Sequence, residues 1–190
     1  YPECCAALKP DHGAQLDLLK RISHIPNVRK VFVSSGIRPD LIAADAKNGA
    51  HYIDELAAHH VSGQLKLAPE HSEKRVLDAM GKPGNGALLN FKERFDAANR
   101  RLGLKQYLTY YFIAAHPECG DEEMLALRRF ATKHLHLSPE QVQIFTPTPS
   151  TWSTAMYYTG INPFTGRSAV VTRGLRAKQN QKDILVPPHP

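Results

Sequence analysis

Residues 63–83, "GQLKLAPEHSEKRVLDAMGKP", hold the pattern that decides the fold. Leu65 and Leu67 alternate with polar neighbours, which reads as a strand. The run ends at Ala68-Pro69-Glu70-His71, and a helix over 72–81 follows, with Ser72 as N-cap and Gly81 as the stop. A strand that turns straight into a helix is half of a βα unit. Placing a carboxylate and an imidazole at the turn suggests a job beyond connection.

The same unit recurs on both sides. "AQLDLLKRISH" (14–24) spaces Leu16, Leu18, Leu19 and Ile22 as a helix. "VRKVFVSS" (28–35) is a β-branched, aromatic run broken by Gly36. A helix fits 50–60, with Tyr52, Ile53, Leu56 and Ala57 on one face, and a longer one fits 87–102. "KQYLTYYFIAA" (105–115) is a strand without clean alternation, as expected when both faces are covered. A helix over 120–135 opens with Asp121, Glu122 and Glu123, where the helix dipole favours anions. "QVQIFTP" (141–147) closes the series, after which periodicity fades.

Four strands are therefore expected, near 29–35, 63–69, 107–114 and 141–146. Strands alternating with helices mean an α/β fold of repeated βα units around a parallel sheet. Four strands do not close a barrel, so the sheet is open or part of a larger barrel.

Composition bounds the function. The 190 residues include 42% hydrophobic and 22% charged residues, ordinary for a globular domain. No apolar run is long enough to span a bilayer and no signal-peptide pattern opens the chain. The net charge is +6 and the pI near 9.3, which suits either a nucleic-acid or phosphate partner or a mildly basic surface. Cys4, Cys5 and Cys119 are too few for a disulfide scaffold, and a reducing, cytoplasmic setting is expected. They form no CxxC or CxxxCxxC spacing, and the ten histidines match no zinc pattern. The chain begins at Tyr1 in a Pro/Cys-rich stretch, which reads as part of a longer protein.

In parallel α/β sheets ligands gather at the carboxyl ends of the strands. Here those ends read Ser34-Ser35-Gly36-Ile37-Arg38, Ala68-Pro69-Glu70-His71, Ala115-His116-Pro117-Glu118-Cys119 and Thr146-Pro147-Thr148-Pro149. Hydroxyls and an arginine suit a ribose or carboxylate, Glu70 suits an ammonium or ribose hydroxyls, and His71 and His116 are expected to exchange protons near neutral pH. Each also has a plain structural use: turn hydrogen bonds for Ser34 and Ser35, a solvated place ahead of a helix for Glu70, loop packing for His116. Cys119 reads as a bystander, and Trp152, Tyr157 and Tyr158 as packing around the last strand.

"HVSGQLKLAPEHSEKRVLDAMGKP", "YFIAAHPECGDEEM" and "MYYTGINPFTG" strongly resemble the YgiQ-type radical S-adenosylmethionine proteins, and "KVFVSSGIRPDL" resembles that family's preceding strand. The likeness covers roughly residues 5–170. Ala115 stands where the wider superfamily pattern has Gly, and Cys119 where it has Glu.

The resemblance implies the C-terminal half of a partial (β/α)6, TIM-like barrel over residues 1–160, followed by a basic, Pro-ending tail or linker over 161–190. It implies an enzyme that binds S-adenosyl-L-methionine through Ser34, Ser35, Arg38, Glu70, His71, His116 and Pro117. In such enzymes a [4Fe–4S] cluster, reduced by an external electron donor, cleaves that cofactor to a 5′-deoxyadenosyl radical that abstracts hydrogen from a substrate. The cluster's CxxxCxxC loop would lie upstream of Tyr1, and Cys4 and Cys5 are not expected to be ligands. The isolated chain would then be inactive. The alternative is a non-catalytic nucleotide- or RNA-binding module using the basic tail.

Overall fold

The structure, a computed structural model, describes residues 5–139 and 142–186. The chain divides into two compact units, one from residues 5–68 and 85–110, the other from 69–84 and 111–186. Three strands, β1 (Gln64–Glu70), β2 (Tyr107–Ala114) and β3 (Val142–Ile144), form a parallel sheet in the order β1-β2-β3. The β2–β3 register pairs Phe112 with Val142 and Ala114 with Ile144.

The α/β class with βα repeats is what the sequence leads one to expect, but among the described residues three strands form rather than four. Over 29–35 no strand is present. Two backbone bonds and one ring bond reach this segment: Val33 N–H donates to His60 O at 2.8 Å, Lys66 N–H donates to Ser34 O at 3.2 Å, and His60 Nδ1–H donates to Val31 O at 2.8 Å. Phe32 is 51% exposed, so the run lacks the burial that makes a β-rich stretch a strand. The last strand forms as β3, three residues long; Gln141 lies outside the described residues.

In the first unit, α1 (Gly13–Ser23), α2 (Pro39–Ala44), α3 (Gly49–Glu55) and α5 (Gly86–Leu102) accompany β1. The helix expected over 50–60 is α-helical only to Glu55 and widens to a π-helical turn over Leu56–His60. α5 buries Leu88, Phe91, Phe95 and Ala98 at helical spacing and stops at Gly103, whose φ of 65° is cheap only for glycine. With Tyr52, Leu56, Leu65 and Leu67 these side chains form the core. Helices α2 and α3 pack on α5.

The second unit holds α4 (Lys74–Met80), α6 (Asp121–Phe130), α7 (Trp152–Thr159) and α8 (Leu175–Leu185). α4 starts two residues later than expected. Ser72 is not its N-cap; Glu73 is, and the Glu73 N–H is satisfied by the His71 ring instead. α6 buries Met124 and Leu127 and also ends in a π-helical turn, Ala131–Leu135. Phe112, Met156 and Leu185 complete this core. Within the stretch expected to be a basic tail or linker, residues 161–190, Leu175–Leu185 form α8, which buries Lys178, Gln181 and Leu185 and packs on α6 and β3. No described helix is long and apolar enough to cross a membrane.

Candidate functional site at the strand ends

In the second unit, β1 and β2 both end in left-handed backbone carried by residues other than glycine. Glu70 has φ 66°, Ala115 φ 59° and Glu118 φ 71°. For an L-residue this conformation costs about 1–2 kcal/mol, and it persists only where the surroundings enforce it. Ala115 is 1% exposed and has no polar side chain to offset that cost.

The enforcement comes from α8 and the segment before it. Ala115 N–H donates to Gln181 Oε1 at 3.1 Å, and Gln181 Nε2 donates to Cys119 O at 3.3 Å and to Thr172 Oγ1 at 2.8 Å. One buried amide thus ties both ends of the 115–119 turn. Glu118 is held from three sides. Its N–H donates to Val170 O, Asn162 Nδ2 donates to its Oε1 at 3.1 Å, and Arg75 Nη2 donates to its carbonyl at 2.9 Å. Arg75 also donates to Glu123 Oε1, while Glu123 Oε2 accepts from Gly120 N–H at 2.8 Å and closes the first turn of α6.

Inside this frame sit the two histidines. His71 is fully buried. Its Nδ1 accepts from Glu73 N–H at 3.0 Å, so the ring proton is on Nε2, 3.4 Å from Cys119 Sγ. Burial, and then His116, pull His71 down to about 3. Burial pushes the Cys119 thiol up to about 12. The histidine therefore donates to the sulfur and does not take its proton, so Cys119 is not an activated nucleophile. His116 Nδ1–H donates to Pro117 O at 2.7 Å, which leaves Nε2 to accept from Ser153 O–H, also at 2.7 Å. Burial pulls His116 down to about 4, against the opposing pull of the Pro117 carbonyl. Both rings are neutral at pH 7, and their tautomers are fixed by backbone partners.

The expected ligand contacts fall into distinct situations. Glu70 is half-buried at the end of β1, with Lys82 Nζ 3.0 Å from its Oε1. His71, His116 and Pro117 are buried in the turn rather than presented to solvent. In the other unit, Ser34 and Ser35 are exposed, and Arg38 donates to both oxygens of Asp40, at 2.9 and 2.6 Å. Burial works against the Asp40 carboxylate, but Arg38 holds it below the usual range. A groove of about 440 Å³ in that unit is bordered by Ile42, Asn90, Phe91 and Arg94, and none of the expected contacts line it.

Sequence reasoning missed Ser153, Gln181, Asn162 and Arg75. Only Asn162, in the turn signal Asn-Pro, carries a local hint. Among the described residues no group of three or more His, Cys, Asp or Glu side chains converges to hold a metal.

Residues 140–186, the part of the chain that braces this site, match the family described as "Domain of unknown function (DUF3362)". The homologues are UPF0313 proteins. A UPF0313 protein of Fusobacterium nucleatum, FN0734, is 51% identical over 97% of this chain and 33% of its own length. One of Thermotoga maritima is 46% identical over 98% of the chain and 32% of its own. One of Methanosarcina mazei is 43% identical over 97% of the chain and 29% of its own. The chain spans about a third of the length of the curated relatives it matches.

Proposed function

We propose that this chain is the cofactor-binding part of a radical S-adenosyl-L-methionine enzyme, and that the strand-end cluster of the second unit meets the cofactor. The observation that carries the reading is the left-handed backbone at Glu70 and Ala115, at the carboxyl ends of neighbouring strands β1 and β2. Strained backbone clusters at functional sites, and the carboxyl edge of a parallel sheet is where ligands bind.

The residues present suit S-adenosyl-L-methionine. Glu70 offers a carboxylate to its ammonium or ribose hydroxyls, in competition with Lys82. Ser153 gives its proton to His116, so its oxygen is left with lone pairs that accept from a donor. His71, His116 and Gln181 act through the backbone: they hold the turn that orients Glu70 and residues 115–117. Pro117 supplies the carbonyl that fixes the His116 tautomer. The expected contacts Ser34, Ser35 and Arg38 belong to the first unit and are not part of this cluster.

The described residues do not fit a [4Fe–4S] cluster, since Cys119 is buried with a raised thiol and no three ligands converge. The cluster belongs, in this reading, to a part of the whole protein outside this chain, whose relatives are about three times as long, and an external electron donor reduces it. When bound and reductively cleaved, the cofactor would supply hydrogen-abstraction chemistry to a substrate. A reducing, cytoplasmic setting is part of the same proposal. The test is anaerobic incubation of the full-length protein with dithionite and S-adenosyl-L-methionine. Formation of 5′-deoxyadenosine supports the reading, and none from a cluster-loaded, folded preparation overturns it.

A further inference from the structure

From Val142 to Lys182 the chain contains no aspartate or glutamate, yet it contains Arg167, Arg173, Arg176, Lys178 and Lys182. A run of 41 residues with cations and no carboxylates carries a one-sided charge, which favours an anionic partner. Lys178 is buried against the Tyr157 ring and Phe145, but Arg167, Arg173 and Arg176 are exposed.

The same stretch presents aromatic rings to solvent. Tyr157 packs on Phe145, as the sequence suggests, but Trp152 and Tyr158 do not pack as expected. Trp152 is 59% exposed, Tyr158 68% and Phe164 41%. Trp152 and Tyr158 lie with Ala155 on the outward side of α7, about 9 Å apart along its axis. Phe164 stands edge-on to Trp152, with ring centroids 5.9 Å apart.

Phe164 is held there by a rigid hairpin rather than by chance. Ile161 pairs antiparallel with Ser168, Asn162 N–H donates to Arg167 O, and Gly166 N–H donates to Asn162 O, both at 2.8 Å. The Asn162 side chain accepts from Phe164 N–H at 2.9 Å and donates to buried Glu118. Arg167 is on this hairpin. Arg173 Nη2 donates to Tyr157 O at 2.7 Å and to Tyr158 O, which puts a cation at the end of α7 that carries Tyr158.

We propose that Trp152, Tyr158 and Phe164, with Arg167 and Arg173, form a docking surface for single-stranded nucleic acid. Unpaired bases stack on aromatic faces, and the phosphates meet cations on a stretch of chain that carries no carboxylate of its own. A duplex keeps its bases stacked away from such rings. This surface stands whether or not the strand-end site binds S-adenosyl-L-methionine.

Trp152 is the only tryptophan in the chain, so its emission reports on this surface alone. The experiment titrates the chain with single-stranded oligouridylate and oligothymidylate of about 10 nucleotides at low salt. Saturable quenching of Trp152 is expected, together with affinity that falls as salt rises. Phe164→Ala, checked for native circular dichroism, should weaken binding by about five- to a hundredfold. Arg167→Gln should lower the salt slope by about 0.7. Three outcomes overturn the proposal: no change in Trp152 emission up to about 100 μM oligonucleotide, equal binding of polyglutamate or duplex RNA, or unchanged affinity in both variants.

Discussion

Acidification should destabilise this protein between pH 7 and 5, through His71 and His116. Both are buried, at 0% and 2% exposure, and both titrate below the ordinary value of 6.5, at about 3 and about 4. The unfolded chain therefore binds protons at pH 5 that the folded chain refuses. Stability is highest above the unfolded value and falls with pH until the folded values are reached. Each histidine loses about 1.4 kcal/mol per pH unit in that window. From pH 7 to 5 the loss is about 2 kcal/mol per ring, or about 4 kcal/mol together, a large share of a typical 5–15 kcal/mol. Asp45 does not confuse the window. Burial opposes its charge, but bonds from Asn48 and His12 pull its carboxyl down to about 2, so its contribution is lost only below the usual carboxylate range. Urea melts at half-unit steps from pH 7 to 5 measure the slope, about 2.7 kcal/mol per unit where both rings titrate. His116→Gln should roughly halve it. A flat profile, or a slope that neither His116→Gln nor His71→Gln reduces, would refute the claim that these rings are buried and neutral.

Gln181→Leu should cost about 2–5 kcal/mol in urea unfolding, because it strands the buried Ala115 N–H and Cys119 O. Gln179→Leu, on the exposed side of α8 with one bond to Asp183, should shift it by about 0.5 kcal/mol or less. Equal effects would mean that Gln181 does not brace the turn. Cys119 should resist iodoacetamide in the native chain and react in urea, since its thiol is buried and raised to about 12. Peptide mapping that finds it alkylated under native conditions would show that the turn opens.

The βα alternation was legible because "GQLKLAPE" and "YLTYYFIA" are dense in strand formers and lie between strongly periodic helices. The segment 29–35 has the same composition, but a strand is completed by its partner's ladder, and here only isolated bonds reach it. At the site, Glu70, His71 and His116 stood out because they follow strands, at the edge where ligands gather in parallel α/β sheets. Their partners did not stand out. Cys119 lies 48 residues from His71, Ser153 37 from His116, and Gln181 66 from Ala115, so no local pattern links them. The left-handed turns were hidden for a different reason: glycine usually marks them, and Glu70, Ala115 and Glu118 stand there instead.

The central claim is that Glu70 holds S-adenosyl-L-methionine at the end of β1. Calorimetry of the cofactor against full-length, cluster-loaded protein tests it most directly, comparing the native sequence with Glu70→Gln and checking both by thermal melt. A charge-assisted bond of about 1.5–3 kcal/mol predicts an affinity about ten- to a hundredfold weaker in the variant. Unchanged affinity in a well-folded Glu70→Gln protein would contradict the account and leave Glu70 as the partner of Lys82 alone.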